Sequence, residues 1–125
     1  MLFDTDVLIW VLRANIKAIN LVNATAQRRV SVVNYIELLR GARDKQELLK
    51  IKRFFPTNGF EILPLTETIG NRAIIYIEEH GLKSGIGLAD ALIAATAVEN
   101  NLQLCTSNRK DFKNIAELDL KVFHP

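Results

Sequence analysis

Short apolar runs alternate with helical stretches along this chain, and that alternation limits the folds open to it more than any other feature. Strand-like segments fall at about residues 1 to 4 and at RVSVV, FEILPL, LQLCT and LDLKVF. Between them lie VLIWVLRA and IKAINLVNATAQ, a long helix from near Asn34 towards Phe55, a helix from Thr66 to His80, and LADALIAATAVEN, whose alanines allow close approach to a sheet. Parallel strands need a connection of this kind between them, and right-handed crossovers place the helices on both faces of the sheet. The expected architecture is α/β, three layers α/β/α around a central, mostly parallel sheet.

Punctuation supports this division. Pro56, Asn58 and Gly59 end the long helix, and Ile69, Ala73 and Ile77 recur every four positions as an inward helix face. No repeat, low-complexity tract or linker interrupts the pattern, so residues 1–125 are expected to form one domain, long enough to bury a core without disulfides. Cys105 is the only cysteine, which rules out an internal disulfide, suits a reducing cytoplasm, and reads as a small core residue. No basic segment precedes the N-terminal apolar run and no apolar run is long enough for a bilayer, so neither a signal peptide nor a membrane partner is expected.

The chemistry lies in the acids. In such a fold, strand C-termini and helix N-termini share one edge of the sheet, the edge at which ligands bind. Asp4 ends the first strand, Glu37 lies in the first turn of the helix after RVSVV, Asp90 opens the alanine-rich helix, and Asp111 follows LQLCT. Asp6 is close enough to Asp4 to support it. Each acid has a plain structural account: Asp4 as a helix cap, Glu37 as half of a capping box with Asn34, Asp90 and Asp111 as favourable charges near helix N-termini. Four such caps on one edge are also four converging like charges, which raise one another's pKa values unless a cation sits among them. His80 and His124 fall away from this edge, and an all-oxygen donor set points to Mg2+ or Mn2+ rather than zinc. Such an ion activates water and orients a phosphodiester. Net charge is only +2, but neutralising four acids in a pocket leaves a moderately basic rim, to which Arg40, Arg43, Lys45, Lys50, Lys52 and Arg53 contribute, as they would to any solvated helix face.

With these residues assembled, the chain resembles the PIN-domain ribonucleases, and among them the VapC-type toxins of toxin–antitoxin pairs. The resemblance spans nearly the whole chain through four blocks in order: LFDTDVLI, VSVVNYIELLRGAR, GIGLADALIAATA and LCTSNRKDF. It implies a PIN-like fold and an endoribonuclease cutting RNA in a metal-dependent step. The metal-binding acids carry over to Asp4 and Asp90, with Glu37 completing the acidic cluster. Some relatives have an Asp where this chain has Asn108, and others use the acid before the Phe. The fourth acid is assigned to Asp111, with Asn108 as a neutral ligand to water or metal. Asp6 supports the site, and Thr106 and Ser107 hydrogen-bond its acids or cap the strand end locally. The resemblance further implies a homodimer and a cognate antitoxin laid across the active-site groove, to which the N-terminal helices with Trp10 contribute, although the plain account of Trp10 is core packing.

Two rivals share some of these residues. DTDVLI also resembles the opening of haloacid-dehalogenase-type phosphatases, but Leu8 stands where those carry a small hydroxyl residue and TSNRKDF offers no adjacent acidic pair. A catalytically silent RNA- or protein-binding domain is the other, favoured by the missing charge at Asn108 and opposed by Asp4, Glu37 and Asp90. GLKSGIG lacks the Gly-Lys-Ser/Thr ending of a phosphate-cradling loop and instead positions Asp90.

Overall fold

Period-two burial sets the layers. In a computed structural model covering residues 1–125, neighbouring residues of the same strand enter different cores: Leu2 and Leu104 pack on one face of the sheet, Phe3 and Cys105 on the other. Five strands, β1 (Leu2–Phe3), β2 (Arg28–Ser31), β3 (Phe60–Leu63), β4 (Leu104–Thr106) and β5 (Leu120–Val122), form one sheet in the order β3-β2-β1-β4-β5. Every pairing is parallel. Helices α1 (Thr5–Leu12), α2 (Ile16–Asn23), α3 (Val32–Arg40) and α4 (Lys45–Thr57) supply the core that includes Phe3, Val30 and Cys105. Helices α5 (Glu67–His80), α6 (Leu88–Glu99) and the single turn α7 (Arg109–Phe112) supply the other. The expected α/β/α layering is present, and the sheet is wholly parallel.

The chain runs outward from β1 through β2 to β3, then returns to place β4 on the other side of β1. The strand order therefore reverses between β1 and β4, and at the carboxyl ends of those two strands the crossovers diverge and leave a crevice. In the register Phe3 pairs with Cys105 and the Asp4 N–H bonds to the Cys105 carbonyl at 2.9 Å, so Asp4 lies beside Thr106 at the mouth of that crevice.

Several expectations are corrected. The long helix is two: Gly41 ends α3, and Asp44 caps α4 by accepting the Glu47 N–H at 2.8 Å. Pro56 does not stop α4 but lies within its last turn, and Gly59, with φ +68°, makes the left-handed turn into β3. RVSVV is strand only to Ser31. Val32 and Val33 have strand-favouring side chains, yet the Ser31 hydroxyl accepts the Asn34 N–H at 3.0 Å and opens α3 at Val32. Ser31, not Asn34, is the cap, so Glu37 stands in the second turn and the expected capping box does not form. On α5 the buried face is Ile69, Ala73 and Tyr76, while Ile77 is turned partly to solvent.

Helix α6 can approach the sheet because Ala91, Ala94, Ala95 and Ala97 are all fully buried, and α5 packs against it. Replacing Ala95 with Leu forces extra methylene groups into a filled layer, and the expected loss is about 1–3 kcal/mol in urea unfolding. Ile74→Ala, on the exposed side of α5, is expected to change stability by less than about 0.5 kcal/mol in the same measurement.

Candidate active site

Asp4 is both strand end and helix cap. Its backbone is extended (φ −74°, ψ 159°), and its carboxylate accepts the Thr5 N–H at the start of α1. The side chain is almost entirely buried, and each oxygen has a partner. Oδ1 accepts from Thr5 N at 2.8 Å and from Asn34 Nδ2 at 3.0 Å, and Oδ2 accepts from the Thr106 hydroxyl at 2.8 Å. The Thr106 hydroxyl also lies 3.4 Å from Asp6 Oδ2. It has one proton to give, and the shorter contact to Asp4 takes it.

The other acids arrive from four further places. Asp6 Oδ1 accepts the Val7 N–H and its Oδ2 accepts the Ser107 N–H at 3.0 Å, tying α1 to the end of β4. Glu37 reaches in from α3, with Oε1 accepting from the Thr5 hydroxyl at 2.9 Å. Asp90 stands half-buried in the first turn of α6, whose cap Gly87 offers no side chain to the free N–H groups, so the carboxylate is favourably placed against that helix end. Asp111 on α7 is held by the amide of Asn108, and the Asn108 N–H donates in turn to the Thr106 hydroxyl at 3.0 Å.

These groups share one electrostatic neighbourhood. Burial first, and the charge of Asp6 second, push the Asp4 carboxyl up to about 6 against the pull of the Thr106 and Thr5 donors. Burial, joined by the charges of Asp111 and Glu37, likewise pushes Asp90 up to about 6. Asp6 is raised by burial too. The four acids expected at this edge, with Asp6, are thus close enough to oppose one another's ionisation. No three of them are drawn tightly enough to enclose an ion without other donors. Mg2+ does not need such a cage, because it keeps several waters and takes only one or two protein carboxylates directly. The donors present fit a hydrated hard cation. The Ser107 hydroxyl oxygen, next to Asp6 in this network, is buried with no protein partner and can serve the hydration shell of such an ion. Cys105 does not fit as a ligand: burial pushes its thiol up to about 12, so it stays a protonated core residue.

Three members of this network were not assigned to the site from the sequence: Thr5, Ser31 and Asn34, the last read only as a helix cap. Ser31, Asn34 and Glu37 recur every three residues in SVVNYIE, the spacing that stacks side chains along one helix face. That signal was available once Ser31 was recognised as the cap. Trp10 is half-buried and packs against the core formed by α1 to α4, in line with its plain reading.

Comparison with known proteins gives a consistent picture. A sequence model described as the PIN domain matches residues 1–118. Ribonuclease VapC10 of Mycobacterium tuberculosis is 36% identical over 124 residues, covering 94% of this chain and 90% of the relative. A toxin–antitoxin complex from Klebsiella pneumoniae contains a chain with TM-score 0.77 and 28% identity, covering 94% of this chain and 93% of that one. VapBC-1 from nontypeable Haemophilus influenzae gives TM-score 0.81 and 25% identity over 97% and 96%.

The raised Asp4 carboxyl has a signed consequence for stability. The folded chain holds the Asp4 proton to about pH 6, whereas the unfolded chain releases it near 3.8, so without divalent ions Asp4 withdraws stability as pH rises through that window. Asp4→Asn is free of this effect. In urea unfolding with EDTA, the variant should gain on the parent by up to about 3 kcal/mol between about pH 4 and about pH 7.5. A stability difference that stays constant with pH would contradict the burial of that charge.

Proposed function

The chain belongs to the PIN-domain family, and on that premise we propose that it is the endoribonuclease toxin of a toxin–antitoxin pair, hydrolysing RNA phosphodiester bonds at the β1–β4 crevice with Mg2+ or Mn2+. The observation that carries this reading is Asp4, a buried carboxylate at the switch point of the sheet with Asp90 near enough to raise its pKa. Membership of this family also displaces the phosphatase alternative.

Asp4 and Asp90 would hold the ion, with Glu37, Asp111 and Asp6 completing the acidic surround and Asn108 a neutral group beside Asp111. A bound divalent ion supplies charge neutralisation at the phosphate and a lowered pKa for the attacking water. Glu37 has Oε1 tied to Thr5, which leaves Oε2 free, so that this carboxylate would be the group to accept a proton from an attacking water. Thr106 and Ser107 keep Asp4 and Asp6 turned inward.

The partners follow from surfaces next to the site. A groove of about 710 Å3 starts at Thr5 and Glu37 and runs between α1, α3 and α4, with Ile9, Leu12, Leu38 and Ile51 as apolar lining and Arg13 and Lys50 among its charges. An amphipathic antitoxin segment fits such a groove and, lying in it, covers the route to Glu37. Large apolar side chains stand exposed on α5, on the loop after it and at the start of α6, namely Ile74, Leu82 and Leu88, which supports a homodimer through that surface. No helix is long and apolar enough to cross a membrane.

Labelled RNA incubated with the purified protein should be cut with Mg2+ or Mn2+ and left intact with EDTA. Asp4→Asn and Asp90→Asn should each lower the cleavage rate on the order of 100-fold or more. Undiminished cutting by both variants would overturn the assignment. Light scattering of Leu82→Lys combined with Leu88→Lys should give the mass of a single chain where the parent gives that of two, and an unchanged mass would remove this surface from the dimer.

A further inference from the structure

Asn34 is the only wholly buried side-chain amide in the protein, and all of its hydrogen-bonding groups are engaged. Its Oδ1 accepts from the Ser31 hydroxyl at 2.7 Å, and its Nδ2 donates to Asp4 Oδ1 at 3.0 Å and to the Thr5 hydroxyl at 2.8 Å. Asp4, as an ionised carboxylate, offers only acceptors, so the NH2 end of the amide must face it. The Thr5 oxygen, having accepted from Asn34, turns its own proton to Glu37 Oε1. One amide on α3 thus orders two carboxylates, one at the end of β1 and one on α3 itself, through the Thr5 hydroxyl and its own NH2 group.

We infer that Asn34 is a positioning residue of the ribonuclease site, fixing Asp4 and Glu37 as a unit and leaving Asp4 Oδ2 as the oxygen through which that carboxylate meets the cation. The inference rests on the function proposed above. Its basis is an accounting of lone pairs. Asp4 Oδ1 receives two donors, Thr5 N and Asn34 Nδ2, as many as its two lone pairs accept, whereas Oδ2 receives one, from Thr106, and keeps one lone pair free. Groups that orient a metal-binding carboxylate in this way govern metal affinity without touching the metal. Asn34 is sealed from solvent, so it cannot contact RNA, and its loss should separate catalysis from substrate binding.

The test measures the Mn2+ dissociation constant by electron paramagnetic resonance alongside kcat and KM for a labelled RNA. Asn34→Ala should weaken Mn2+ binding and lower kcat each by about 10- to 100-fold while KM stays within about twofold of the parent. Thr5→Val, at a half-buried helix start, should lower kcat in the same way, and Thr5→Ser should restore it. The double variant should lose little more than the worse single one, because the two residues act through one chain of hydrogen bonds. Should Asn34→Ala fail to fold, the Thr5→Val and Thr5→Ser pair decides alone. Parental Mn2+ affinity and kcat in folded Asn34→Ala, or in Thr5→Val, would overturn the inference, as would strictly additive losses in the double variant. Asp4→Asn separates the two levels: if it abolishes Mn2+ binding and cleavage while Asn34→Ala changes neither, only the role of Asn34 falls. If Asp4→Asn also leaves both intact, the function proposed above falls with it.

Discussion

A carboxylate has been taken out of water at the end of β1, and the surrounding structure is organised around making that tolerable. Burial of an ionised group is costly unless hydrogen bonds and opposing charge replace its hydration. Asp4 obtains its donors from three separate elements: the N–H that opens α1, the amide of Asn34 on α3, and the hydroxyl of Thr106 at the end of β4. These three elements meet only because β1 lies between β2 and β4 in the sheet. Hydrogen bonds still leave the pKa of Asp4 high, so the remaining imbalance is one of charge. A divalent cation is the natural complement to it.

The rest of the fold holds the acids at that point. On one face the aromatic cluster of Phe3, Phe54, Phe55 and Phe60, joined by Tyr35, packs mostly edge to face, with Phe54 and Phe60 tilted, and anchors α3 and α4 against the sheet. On the other, the alanine layer of α6 lets that helix lie close, and Arg72 on α5 bonds both to Glu99 at the end of α6 and to Glu117 before β5, with Tyr76 also donating to Glu117. That clamp sits at the opposite end of α6 from Asp90. At the near end no side chain caps the helix, and the Asp90 carboxylate stands half-buried there beside Asp111.

Much of this was readable from local pattern. Asp4 at the end of an apolar run, Asp90 at the head of an alanine-rich helix and Asp111 just past LQLCT all fell on the carboxyl edge where the alternating pattern placed them. Where the reading went astray, a local preference was outvoted. Val32 and Val33 look like strand, yet one Ser31 hydroxyl starts a helix through them; Ile77 keeps the four-residue spacing, yet Tyr76 takes the buried position, its hydroxyl bonded to Glu117. Asn34 looked like a cap and is instead wholly interior, bonded to residues about thirty positions earlier in the chain.

By itself the sequence determined the class of fold, the edge of the sheet on which the acids would fall, and the hard, all-oxygen character of the donor set, because these depend on hydrophobic period, punctuation and residue type, all of which are local. Only the tertiary structure decided that the sheet is wholly parallel, that Asp4 is buried while Glu37 and Asp90 are half-open, and that Asn34, Thr5 and Thr106 divide the oxygens of the acids among themselves. The reason is that burial and hydrogen-bond direction belong to pairs of groups far apart in the chain, and no single segment carries the information about what it will be pressed against.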